Sequence, residues 1–177
     1  YIAAIFPDFI PLSGDRLYGD DPAVCGGIAP LAGHPVTVIG QCRGRNLEES
    51  LRFHFSMPRP EGYRKALRLM EQAEKFHRPV VCLVDTLGAF PGKEAEDRGQ
   101  AGAIAACLQR MMHLRTPILS LLIGEGGSGG ALAFCVSDEI AALENALLSV
   151  ISPRGCASIL WKDSSREQEA ARVLGMT

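Results

Sequence analysis

Gly124-Glu125-Gly126-Gly127-Ser128-Gly129-Gly130-Ala131-Leu132 is the stretch that decides the fold. The run Ile118-Leu119-Ser120-Leu121-Leu122-Ile123 leads into it. That run reads as a buried strand, being short, β-branched at both ends and stopped by glycine. The run Ala131-Leu132-Ala133-Phe134-Cys135-Val136 leads out and reads as a buried helix. Five of the seven residues 124–130 are glycine, so backbone N–H groups lie bare and unusual backbone angles cost little. The first N–H groups of the following helix lack intrahelical partners, and the helix dipole adds partial positive charge there. The stretch therefore builds a nest for an anion, or for an oxygen that becomes one. The plainer alternative is that the glycines only let the helix pack close to the sheet.

Upstream, the same pattern recurs. Pro58 and Pro60 open a helix, with Glu61 in its first turn. Tyr63, Ala66, Leu67, Met70 and Ala73 follow at helical spacing and form its buried face. Arg64, Lys65, Arg68, Glu71 and Lys75 read as its solvated face. Pro79 closes the helix, and Val80 to Val84 is a continuous apolar strand buried on both sides. Asp85-Thr86-Leu87-Gly88-Ala89-Phe90-Pro91-Gly92 is the loop after it. Glu94 to Asp97 begins the next helix, whose buried face is Ile104, Cys107, Leu108 and Met111.

Earlier still, Val24 to Ala29 and Val36 to Ile39 read as strands joined across Gly33-His34-Pro35. Residues 1–22 are a polar, turn-rich leading segment, and Gln41 to Ser56 is a loop or short helix. Beyond the nest, Ile140 to Ala142 and Ala146 to Ile151 are short strands. Ser152 caps a last helix with Pro153 at its first position. No closing element is evident from Lys162 onward. Buried strands alternating with amphipathic helices predict an α/β protein with mainly parallel sheet. Ligands in such folds sit at the carboxyl ends of strands, where both glycine turns fall.

The 177 residues predict one domain, and 47% hydrophobic residues supply a core. A net charge of −2 argues against a nucleic-acid surface. No apolar run is long enough for a membrane helix, and the first residues lack the basic start of a signal peptide. The six cysteines, without zinc-finger spacing, read as reduced core residues of a cytoplasmic protein.

Several long motifs in register resemble the carboxyltransferase α subunit of bacterial acetyl-CoA carboxylase. They are Phe55 to Met70, Asp85 to Gly92, Glu96 to Gln100, Ile123 to Leu132, Ser149 to Pro153 and Gly155 to Lys162. The resemblance implies a crotonase/Clp-like fold of stacked ββα units over 1–177, without the longer N- and C-terminal helical parts usual in that family. It implies transfer of a carboxyl group from carboxybiotin, on biotin carboxyl carrier protein, to acetyl-CoA, giving malonyl-CoA. It implies a carboxyltransferase β subunit as obligate partner in an α2β2 assembly. Zinc belongs to that β subunit, and this chain is expected to hold no metal.

By the same resemblance, the N–H groups of Gly129 and Gly130 form the oxyanion hole for carboxybiotin. Gly126, Gly127 and Ser128, with Gly88, Ala89, Phe90 and Gly92, line the substrate site. Substitution of Gly129 by Ala or Gly130 by Val is expected to abolish transfer and spare the fold. The chain departs from the family's usual residues at Leu87 (Pro), Phe90 (Tyr) and Arg154 (Glu). Other readings stay open: a relative using another acyl-CoA, a non-catalytic scaffold, or a Clp-like peptidase with Ser128 as nucleophile. The peptidase needs a base beside Ser128, and no His stands in a matching motif. Asp85 reads as a strand-end carboxylate serving loop N–H groups. Arg98 pairs with a carboxylate of a ligand or simply with Glu94. Arg43, Arg45 and Arg52 are solvated or meet coenzyme A phosphates.

Overall fold

The structure is a computed structural model that describes residues 1–176. Its sheet runs in the order β1 (Ile10–Pro11), β2 (Val24–Leu31), β3 (His34–Gln41), β4 (Val80–Thr86), β5 (Ile118–Gly127) and β6 (Glu139–Ala142). The seventh strand, β7 (Leu147–Ser149), continues beside β6 and pairs with the second half of β5. The leading β1–β2–β3 meander is antiparallel, and every later pairing is parallel. This is the mainly parallel α/β sheet that the alternation predicts.

The helices are α1 (Ile2–Ile5), α2 (Leu47–Arg52), α3 (Pro60–Lys75), α4 (Lys93–Asp97), α5 (Gln100–Met111), α6 (Ser128–Leu132), α7 (Pro153–Trp161) and α8 (Glu167–Val173). The main core lies between the sheet and helices α3 and α5. Tyr63, Ala66, Leu69 and Met70 of α3 and Cys107 and Met111 of α5 meet Val80, Cys82 and Val84 of β4 there. A second core lies on the opposite sheet face, where Phe6 packs with Val36, Val38, Val81 and Leu83. Strand β4 is thus covered on both faces, which explains its unbroken apolar run. Ser152 caps α7 as expected, its Oγ accepting the Gly155 N–H at 3.1 Å.

Four expectations change. Strand β5 does not stop at Gly124 but continues to Gly127, because β7 pairs with Glu125, Gly126 and Gly127. The helix after it spans Ser128–Leu132, not Ala131–Val136. Lys65 is not solvated: it is 2% exposed, and its Nζ donates to the Asp20 carboxylate at 2.6 Å and the Asp21 carbonyl at 2.8 Å. A long amphipathic side chain on the polar edge of α3 thereby fastens the leading loop. The tail, finally, does have a closing element, since α8 packs on α7 through Ala170, Cys156 and Ala157.

Candidate active site at the glycine strand end

The ends of β4 and β5 are brought together by an irregularity. Their register is regular up to Val84–Leu122, then shifts so that Thr86 pairs with Gly126. Asp85, at the shift, turns its carboxylate to β5, and Oδ1 accepts the N–H of Glu125 at 3.0 Å. The same oxygen accepts from Arg43 at 3.0 Å, and the Arg43 guanidinium also bridges to Glu125. Arg43 is therefore spent on two carboxylates, and Arg45 on Glu49. Asp85 thus serves an N–H of the neighbouring strand β5, in place of the loop N–H groups expected of it.

The loop after β4 is held from inside. The Thr86 hydroxyl donates to the Ser56 carbonyl and accepts the Gly88 N–H at 3.0 Å. Gly88 has φ +140, which only glycine adopts readily. The two glycine turns then meet. A Cβ on Gly130 would stand 2.5 Å from the Ala89 nitrogen and 2.6 Å from the Gly88 carbonyl carbon, and one on Gly127 would overlap the Leu87 carbonyl. A Cβ on Gly124 would strike the Asp85 carboxylate at 2.5 Å. These glycines serve close packing, which is the plainer alternative of the sequence reading. Gly129 differs, for a Cβ there would meet only Ile104 Cγ2 at 3.8 Å.

The nest itself is the first turn of α6. Among the described residues, no protein acceptor is bonded to the N–H of Gly129 or of Gly130. Ser128, the first residue of α6, has φ +55, a left-handed conformation uncommon for serine, and it is exposed. A cleft of about 160 Å³ opens beside it. Its lining includes Thr86, Glu125, Gly126, Gly127 and Ser128 together with the apolar Leu87, Leu147, Ile151 and Pro153. No histidine lines it among the described residues, so Ser128 has no base there.

The expected site residues divide. Gly126, Gly127 and Ser128 line the cleft; Gly130 is buried behind them against Gly88 and Ala89. Gly129, Gly88, Ala89, Phe90 and Gly92 also lie outside the cleft's lining. Phe90 stacks under the Arg59 guanidinium at 4.7 Å and meets the His54 ring edge-on at 5.5 Å. Its N–H donates to the Pro58 carbonyl and its carbonyl accepts from Gln100, so this half of the loop faces the α3 start. Arg98 pairs with Glu61 at 2.7 Å, and Glu94 with Arg59.

Two features were missed. Leu147 and Ile151 line the cleft because β7, the short strand expected within Ala146 to Ile151, pairs with the glycine end of β5, a long-range pairing that the strand's own residues do not announce. Gln41, buried at the end of β3, reaches both glycine turns, accepting from Asp85 N–H at 3.1 Å and donating to the Gly130 carbonyl at 3.2 Å. A polar residue closing an apolar strand was the available signal. Nearby, Cys25 and Cys42 line a second cavity of about 530 Å³ with Gln41 and Arg43. A hydrogen bond from Cys42 draws the Cys25 thiol down to about 7, against the effect of burial. Burial pushes the Cys107 thiol up to about 12 and the Cys135 thiol up to about 11. All six cysteines are free. No group of three or more metal-ligating side chains occurs among the described residues, and no described helix is long and apolar enough to cross a membrane.

Comparison with known proteins fits this geometry. The family model described as acetyl co-enzyme A carboxylase carboxyltransferase-like matches residues 1–177. The acetyl-coenzyme A carboxylase carboxyl transferase subunit alpha of Halalkalibacterium halodurans is 59% identical over 177 residues, which are 100% of this chain and 54% of that protein. The subunit of the same name from Clostridium acetobutylicum is also 59% identical, with 65% of its length covered. The chain thus spans between half and two thirds of the length of these relatives. Among solved structures, transcarboxylase 12S superposes with a TM-score of 0.83 at 19% identity, covering 99% of this chain and 34% of that one. The beta subunit of geranyl-CoA carboxylase from P. aeruginosa gives 0.77 at 21% identity, with the same coverage. These likenesses establish the crotonase-type fold.

Proposed function

Because the chain belongs to the acetyl co-enzyme A carboxylase carboxyltransferase-like family, we propose that it is the α-type part of a biotin-dependent carboxyltransferase that carboxylates acetyl-CoA to malonyl-CoA. On this reading it serves fatty acid biosynthesis, and residues 1–177 act as one domain. Its partners are a carboxyltransferase β subunit, in an α2β2 assembly, and the biotin carboxyl carrier protein.

The observation that carries the reading is the pair of unpartnered N–H groups, Gly129 and Gly130, in the turn that directly follows the cleft-lining Gly126, Gly127 and Ser128. The fit is chemical. A bicyclic ureido ring is neutral, and Leu87, Leu147, Ile151 and Pro153 offer it apolar contact. Carboxybiotin, when bound, supplies the activated carboxyl group. The chain's own contribution is to hold two donors where negative charge develops on an oxygen. One such preorganised donor is typically worth about 100- to 1000-fold in rate. Among the described residues the lining has no histidine, and its one carboxylate, Glu125, is paired with Arg43, which suits a reaction needing no protein acid or base, as the resemblance implies.

Biocytin saturation tests this placement. In the complex with the β subunit, Ser128→Trp fills the cleft mouth. It is expected to raise KM for biocytin at least about tenfold and to leave KM for malonyl-CoA within about twofold. An unchanged KM for biocytin rejects the cleft as the biotin site.

A further inference from the structure

Gln41 is 7% exposed and uses both ends of its side-chain amide. Oε1 accepts the Asp85 N–H at 3.1 Å, and Nε2 donates to the Gly130 carbonyl at 3.2 Å. Only this orientation of the amide satisfies both partners, since one is a donor and the other an acceptor. The residue thus spans from the end of β4 to the nest, which lie on separate stretches of chain. Helix α6 has only five residues and begins with Ser128-Gly129-Gly130. So short and glycine-rich a helix has little cooperativity of its own to fix its first turn.

We propose that Gln41 is a positioning residue of the transfer reaction: its amide fixes the Gly130–Ala131 peptide plane, and so limits the rotation at Gly130 that would turn the preceding planes, which carry the Gly129 and Gly130 N–H groups, out of the orientation the developing charge requires. The inference rests on the function proposed above. Packing alone limits how far Gly130 moves toward Ala89. It does not set the rotation of the peptide, because the next peptide plane turns about a glycine. Oxyanion donors tolerate errors of only about 0.5 Å, and a hydrogen bond to the Gly130 carbonyl anchors the plane adjoining the one that carries the Gly130 N–H.

The test replaces the amide by a group whose donor depends on pH. In Gln41→Glu, the protonated carboxyl both accepts and donates, as the amide does. The ionised carboxylate still accepts the Asp85 N–H but sets a lone pair against the Gly130 carbonyl. The charged and titratable groups around it are Tyr1 at the chain start, Arg43 beyond the end of β3, Asp85 of β4, Glu125 of β5, Cys25 and Cys42, Tyr63 of α3, and Arg45 and Glu49 by α2. Burial, Asp85 and Glu125 raise the introduced group's pKa, and Arg43 lowers it.

Reverse transfer by the chain with its β partner is measured relative to wild type between pH 5.5 and 8.5. For Gln41→Glu, kcat is expected about tenfold or more below wild type at pH 8.5 and within about threefold at pH 5.5, with KM for malonyl-CoA little changed. Gln41→Met, which cannot bond either partner in this way, stays low at both. A ratio for Gln41→Glu that does not move with pH overturns the inference. If that variant fails to fold by circular dichroism, Gln41→Met decides, and wild-type kcat in it overturns the inference. An active wild type with unaffected variants rejects the inference alone, whereas an inactive wild-type complex rejects the proposed function and the inference together.

Discussion

The Oδ1 atom of Asp85 accepts the N–H of Glu125 at 3.0 Å, tying the end of β4 to the end of β5 at the point where their register shifts. Asp85→Ala leaves that N–H and the Arg43 guanidinium without their shared acceptor. A loss of about 1–3 kcal/mol in unfolding free energy is expected from urea titration. Asp85→Asn keeps an oxygen for Glu125 and gives up only the charge toward the half-exposed Arg43, so it costs less than half as much. Equal losses for the two variants contradict this division.

The two nest glycines separate on substitution. Gly130→Ala forces its methyl against Ala89 and Gly88 and is expected to cost about 1–3 kcal/mol or more. Gly129→Ala meets nothing nearer than 3.8 Å, lies in a helix, and keeps its N–H. It is expected to leave stability unchanged or raised by up to about 1 kcal/mol, and to retain transfer within severalfold. The family resemblance suggested that Gly129→Ala or Gly130→Val would largely abolish transfer and spare the fold. A Gly129→Ala protein that melts well below wild type refutes the packing account.

Thiol chemistry should single out Cys25. Its pKa is lowered to about 7 by Cys42, so its thiolate forms as pH rises through neutrality. Carbamidomethylation followed by mass spectrometry is expected to reach half its maximal rate near pH 7 at Cys25, while the buried Cys82, Cys107 and Cys135 stay unmodified in the native protein. Removing the hydrogen bond with Cys42→Ala moves the half-maximal pH of Cys25 upward, toward the ordinary thiol value of about 8.5. No movement means that Cys42 is not the cause.

The sheet was readable from the sequence where burial dictates composition. The run Val80 to Val84 is unbroken because β4 is covered on both faces, and α3 shows its period because Tyr63, Ala66, Met70 and Ala73 face the sheet. The glycine stretch was located correctly but divided wrongly. Glycine in a strand and glycine in a turn look alike in sequence, and only the pairing of β7 with Gly126 makes the strand continue. Lys65 looked solvated because its partners, Asp20 and the Asp21 carbonyl, stand more than 40 positions away. Gln41 escaped for the same reason, since both its partners are long-range. Phe90 and Gly92 follow the loop in sequence but leave the cleft, because Phe90 turns toward Arg59 and Gln100.

The central claim, that this chain supplies the nest for carboxyl transfer and needs its partner for activity, is tested most directly by the reverse reaction. Malonyl-CoA and biocytin are given to the chain alone, to a carboxyltransferase β subunit alone, and to the two together, and acetyl-CoA formation is followed. Biocytin-dependent turnover only in the mixture is the predicted result. Equal turnover by the β subunit without this chain, or none from a stable complex of the two, contradicts it.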